Sequence, residues 1–105
     1  MQNPNLAEIA SVELIGTTVL QIQFTLDWSM EDSADLSEKL LLLASAKVIE
    51  RVQGADLHCI RLQYQDAELL LNFEEYSHSC WLECSTAQDS SGLLAIKELI
   101  LQSIN

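Results

Sequence analysis

From Leu20 to Leu26 apolar and polar residues alternate without interruption. Leu20, Ile22, Phe24 and Leu26 interleave with Gln21, Gln23 and Thr25. A period of two belongs to a strand with one buried and one wet face. Glu8–Ile15, with Val12 and Leu14 on one side, reads as its partner, and Gly16-Thr17 supplies a tight turn. Such a hairpin has one apolar face that something else must cover.

The cover begins where the period changes. Asp27–Ala46 reads as a helix with Leu36, Leu40 and Leu43 on one stripe and Ala44 beside it. Ser29-Met30-Glu31-Asp32 has the form of a capping box. Asp35 and Lys39 are spaced for an i,i+4 pair. Glu31, Asp32 and Asp35 crowd the first turns. Capping and dipole chemistry account for them without invoking a cation site.

Lys47–Gln53 fits a helix continuing to Gly54 or a strand, and its β-branched Val48, Ile49 and Val52 favour the strand. Gly54-Ala55-Asp56 then turns the chain into Leu57–Gln65, with Ile60, Leu62 and Tyr64 on one face and Cys59, Arg61 and Gln63 on the other. After Gln65-Asp66-Ala67, Glu68–Glu75 aligns Leu69, Leu71 and Phe73. Tyr76-Ser77-His78 is a polar corner, and Ser79–Cys84 is a short strand with Cys80 and Leu82 inward. Ser85-Thr86-Ala87-Gln88 resembles a second capping box. A closing helix from about Asp89 to Ser103 carries Leu93, Ile96, Ile100 and Ile104 on one stripe.

The expected order is β-β-α-β-β-β-β-α. Strands joined by hairpins make the sheet mostly antiparallel, with five to six strands. Two helices with single apolar stripes cover one face, giving a two-layer α+β sandwich. The length suits one domain over residues 1–105, with residues 1–6, which hold the single Pro4, expected to be disordered. The uncovered face would display Gln21, Gln23, Arg61, Gln63 and Glu68 beside Leu70, Trp81 and Cys59. An apolar patch of that kind marks an interface.

Charge narrows the function. Sixteen acidic residues face five basic ones, a net charge of −11 on a chain that is 49% hydrophobic. The apolar content is enough to fold a core, which an acidic disordered tail lacks. The acidic surface repels nucleic-acid phosphates and anionic membranes. No apolar run approaches the roughly 18–20 residues that span a bilayer. Met1-Gln2-Asn3-Pro4-Asn5 has neither a basic n-region nor a long apolar h-region, so no secretory signal is expected. Three cysteines form no even disulfide set, and a cytoplasmic protein with free thiols is expected.

Reactive residue types concentrate between Phe73 and Cys84. Zinc held by His78, Cys80 and Cys84, with His58 or Cys59 nearby, is disfavoured. Four residues of strand span roughly 13 Å, whereas two thiolates on one zinc, each about 2.3 Å from it, lie within about 4 Å of each other. A Cys80–His78 pair would share a strand face, but Glu74, Glu75 and Glu83 oppose the positive potential that a reactive thiolate needs. No phosphate loop, nucleophile elbow or metalloprotease helix is present.

The run Glu50…Gly54-Ala55-Asp56 and then Leu69-x-Leu71-x-Phe73-Glu74-x-Tyr76-Ser77-x-Ser79-x-Trp81-Leu82-Glu83 resembles a family of short, uncharacterised bacterial proteins classed as a domain of unknown function. Cys80 and Cys84 are outside the resembling pattern. The resemblance implies a bacterial cytoplasmic protein and transfers no functional residues.

These readings converge on a non-enzymatic protein-binding or adaptor module without cofactor or metal. Its expected interaction surface is Glu74, Tyr76, Ser77, Trp81 and Glu83. Its partner is an unidentified protein, with two-fold self-association through the apolar sheet patch as one expected assembly. The alternative is a small-ligand or enzymatic site at the Tyr76–Cys80 corner. Mimicry of nucleic acid is disfavoured because the carboxylates are spread evenly rather than in a double row.

Overall fold

The computed structural model describes residues 9–104. The expectations for residues 1–6, for Glu8 and for the Ile104 side chain lie outside what it describes. Its strands are β1 (Ile9–Ile15), β2 (Val19–Phe24), β3 (Lys47–Gln53), β4 (Leu57–Tyr64), β5 (Ala67–Glu74) and β6 (Ser79–Cys84). The helices are α1 (Ser33–Ala44), between β2 and β3, and α2 (Ser90–Ile104), after β6. The six strands form one sheet in the order β1-β2-β6-β5-β4-β3, and every adjacent pair is antiparallel. The fold is α+β, with the element order that the periodicities predict.

Register explains which residues face the core. Leu20 lies opposite Leu82, Leu82 opposite Leu71, and Leu71 opposite Ile60. All four are buried, so one row of aliphatic side chains crosses the sheet. Leu40, Leu41 and Ala44 of α1 meet Ile96 of α2 above this row, around a void of only about 20 Å³. Both helices therefore sit on the same face. Phe73 is fully buried, stacked on Phe24 with centroids 6.3 Å apart and edge-on to Trp28 at 5.5 Å.

α2 approaches the sheet closely. A Cβ on Gly92 would stand 2.9 Å from the Cβ of Ala67. That glycine is a space requirement of helix-on-strand packing.

The helix starts differ from expectation. Residues 27–29 are not helical; a 3-10 turn over Met30–Asp32 precedes α1. Trp28 is drawn into the core against Phe73, and the chain must complete that descent before a helix can begin. The Asp32 carboxylate accepts from the Ser29 N–H at 2.9 Å, as a capping box requires. Leu41 rather than Leu43 joins Leu36 and Leu40 among the buried residues. Ser45 ends the helix in the left-handed conformation. The second cap is shifted by one residue, with Thr86 at the N-cap and its hydroxyl 3.4 Å from Asp89.

Candidate interaction surface

The face without helices is assembled by register. Across its middle, Gln21 lies opposite Trp81, Trp81 opposite Asn72, Asn72 opposite Cys59, and Cys59 opposite Val52. The adjacent row runs Val19, Glu83, Leu70, Arg61 and Glu50. Leu70, Trp81 and Cys59 therefore face outward, as the alternation predicts, and all three are half-buried.

At the centre, two donors meet one acceptor atom. The Trp81 Nε1–H donates to Glu83 Oε1 at 3.1 Å, and the Asn72 amide donates to the same oxygen at 3.0 Å. Trp81 and Glu83 are two apart on β6, so the pleat places them on one side. Asn72 comes from the neighbouring strand, and only 6% of it is exposed because Trp81 and Cys59 flank it. Arg61 faces Glu50 at 3.4 Å and Glu68 at 3.6 Å, and its Nε is enclosed without a hydrogen-bond partner among the described residues.

The residues that register places on this face carry unbalanced charge. Glu13, Glu50, Glu68, Glu74 and Glu83 stand against Lys47 and Arg61. The Cys59 thiol is pushed up by burial and then by Glu83 and Glu50, so it stays protonated in this surface.

The five residues expected to form an interaction surface fall into two groups. Trp81 and Glu83 meet directly at the centre of the open face. Glu74 accepts from the Ser77 N–H at 3.1 Å and from the Ser77 hydroxyl at 2.9 Å, which closes the β5–β6 turn. Tyr76, 90% exposed, stands at that turn's tip. Asn72 is the contributor that sequence reasoning missed. A polar residue in Leu69-Leu70-Leu71-Asn72-Phe73, in phase with Leu70 on the outer face, was the available signal.

The Tyr76–Cys80 corner does not align His78 with Cys80. His78 has φ 53° and lies in the turn, outside the alternation of β6. Its Nε2–H donates to the Trp28 carbonyl at 2.6 Å, and its ring stacks on Trp28 with centroids 4.5 Å apart. Cys80 points into the core, where burial pushes its thiol well above the ordinary value. Cys84 also faces the core and is raised first by burial and then by Asp89 and Glu83, against a lowering backbone hydrogen bond.

A second polar contact lies on the core face. His58, 2% exposed, holds its Nδ1 2.9 Å from the Ser33 hydroxyl, which donates to the Met30 carbonyl at 2.8 Å. With that hydroxyl proton committed, the ring Nδ1–H is the donor to Ser33 Oγ. Burial, and then the Arg51 charge, lower the His58 pKa, which favours the neutral ring. Arg51 itself reaches Glu38 at 2.7 Å and the Ser37 hydroxyl at 3.4 Å. Both side chains of this Ser–His pair are sealed inside the core.

Among the described residues, no three or more His, Cys, Asp or Glu side chains gather as ligands for one metal ion. No helix there is long and apolar enough to cross a membrane. No curated protein and no solved structure matches the chain. Residues 11–100, from β1 into the last turns of α2, match the family described as "Protein of unknown function (DUF3630)", and the chain belongs to that family.

Proposed function

We propose that this protein is a non-enzymatic binding module that docks a basic segment of another protein on its open sheet face. The observation that carries the reading is the pair of donors on Glu83 Oε1, at the centre of a face where carboxylates outnumber cations. A carboxylate offers about four acceptor sites, so Glu83 is oriented by its neighbours yet retains capacity for an incoming cationic donor. Trp81 and Leu70 supply apolar contact beside it. Interfaces combine aromatic anchors with oriented polar groups in this way.

Charge separates the candidate occupants. A second copy brings another −11 and a like-signed face, which opposes two-fold self-association. A basic partner gains electrostatic steering. The sheet edges are less suited to docking. β1 shifts register between Ile9 and Ser11, and β3 between Val48 and Glu50. Bulges of this kind blunt edge strands against strand addition.

The test is an NMR titration of the labelled protein with an alternating Arg-Val decapeptide and its Glu-Val counterpart. Saturable shifts of the Trp81 indole N–H and the Asn72 side-chain amide are expected with the first peptide only. They should weaken in high salt, and the Asn72 shift should disappear in Trp81→Ser. Equal response to both peptides, or unchanged binding by the Trp81 variant, overturns the reading. Sedimentation equilibrium checks the competing occupant: a tight dimer dispersed by Trp81→Ser would show that a second copy covers the face.

A further inference from the structure

The β2–β6 ladder stops early. Its last pair is Ile22 opposite Cys80, whereas β1–β2 pairing continues to Phe24 and β5–β6 pairing continues to Ser79. Two strands held by their outer neighbours thus part from each other. Between them lies a cavity of about 310 Å³, bordered by Gln21, Gln23, Phe24, Trp28, His78 and Ser79. That volume is at the lower limit of small-ligand sites and suits one long side chain or a small molecule.

His78 ties one wall of the cavity to Trp28. Its left-handed backbone, its hydrogen bond to the Trp28 carbonyl and its stack on the Trp28 ring join the β5–β6 turn to the segment leaving β2.

The surroundings define the ligand. Gln21, Gln23, Ser77 and Ser79 bring amide and hydroxyl groups to the cavity, over an apolar floor that includes Ile22 and Phe24. Glu13 lies opposite Gln21 on β1, Glu74 opposite Ser79 on β5, and Asp27 Oδ1 is 3.5 Å from His78 Nε2. The lysines and arginines are elsewhere: Lys39 on α1, Lys47 and Arg51 on β3, Arg61 on β4 and Lys97 on α2. Neutral oxygen acceptors within a carboxylate field select a cation and reject an anion. Several separated acceptors suit a guanidinium, which is flat, weakly hydrated and carries five N–H donors.

We propose that this cavity is an arginine pocket, the anchor site of the open face, which receives one guanidinium side chain of the docked segment. The assignment rests on the basic-partner reading for its biological occupant, but the pocket chemistry is testable separately. The probe is N-acetyl-arginine N-methylamide, titrated into the labelled full chain, with the citrulline and glutamate analogues as comparisons. Citrulline keeps the shape and loses the charge. Saturable shifts are expected at Gln23, Phe24, Ser77 and Ser79, with citrulline about tenfold weaker and glutamate without effect. Gln23→Leu removes an acceptor whose oxygen also takes the exposed Ser11 hydroxyl at 3.1 Å, and it should weaken the arginine probe while scarcely moving the urea midpoint.

Absent shifts at the cavity, equal response to citrulline, or a response to glutamate overturns the pocket, and these comparisons need no variant to fold. If the arginine probe shifts the cavity while the Arg-Val peptide leaves Trp81 and Asn72 unmoved, the pocket stands and the docking reading fails. If the peptide moves Trp81 and Asn72 but the cavity stays silent, docking stands and the arginine pocket fails.

Discussion

The two faces of the sheet each carry a polar cluster, and the clusters differ in what they can do. Under the helices, His58 and Ser33 are sealed, and their hydrogen bonds close within the protein. On the open face, Trp81, Asn72 and Glu83 also bond one another, but the acceptor carboxylate remains partly exposed. Buried polar groups must be satisfied internally, because an unmet one costs its desolvation. Exposed groups can exchange partners with little loss. The core-face cluster therefore affects stability, and the open-face cluster is the one that the proposed docking would use.

Truncation should separate the faces most sharply. Phe73→Ala removes a fully buried ring that touches Phe24, Trp28 and His58. It should cost about 3–5 kcal/mol in urea unfolding. A loss below about 1 kcal/mol would mean that the helices do not seal that face.

Gly92→Ala probes the same seal. On an open helix alanine would gain about 0.8–1 kcal/mol over glycine. Here the added methyl meets Ala67 at 2.9 Å, so a net loss of about 1–3 kcal/mol is expected. The double variant with Ala67→Gly should recover part of it. A stabilised Gly92→Ala protein would show that α2 stands further from the sheet.

Acid reads the polar core directly. The folded-state pKa of His58 is lowered by burial and by Arg51. Below about 6.5 the unfolded chain binds a proton that the fold refuses. Stability from this residue is intact above that value. It falls by up to about 1.4 kcal/mol per pH unit until the lowered folded pKa is reached, and then levels off. Urea midpoints between pH 7 and pH 5 should drop less in His58→Gln than in the parent chain. Parallel curves would remove His58 from the acid response.

The smallest stability effect belongs to the open face. Glu83→Gln keeps an acceptor for Trp81 and Asn72, and a half-exposed charge contributes about 1 kcal/mol or less. Its urea midpoint should scarcely move, while Arg-Val peptide binding weakens. A large stability loss with intact binding would reverse the roles of the two faces.

Much of this architecture was legible in residue order. Period-two alternation located β2, β4, β5 and β6, and β-branching at Val48, Ile49 and Val52 favoured a strand for β3 over a continued helix. Leu70, Trp81 and Cys59 could be placed outward because alternation fixes side-chain direction once one face is known. The helix starts were harder, since Trp28 enters the core before α1 begins, and Thr86 rather than Ser85 caps the approach to α2. The pairing of His58 with Ser33 joins positions 25 residues apart, a distance at which local pattern carries no information.

Residue order alone determined the element sequence, the acidic surface and which side of each strand is apolar, because each follows from local spacing or from a sum over composition. Tertiary structure alone decided that β2 lies beside β6, that Asn72 shares Glu83 with Trp81, and that β2 and β6 part beyond Ile22 and Cys80. Those outcomes depend on how helices and strands compete for one shared core, where the position of each element is set by the volume and hydrogen-bonding groups of all the others.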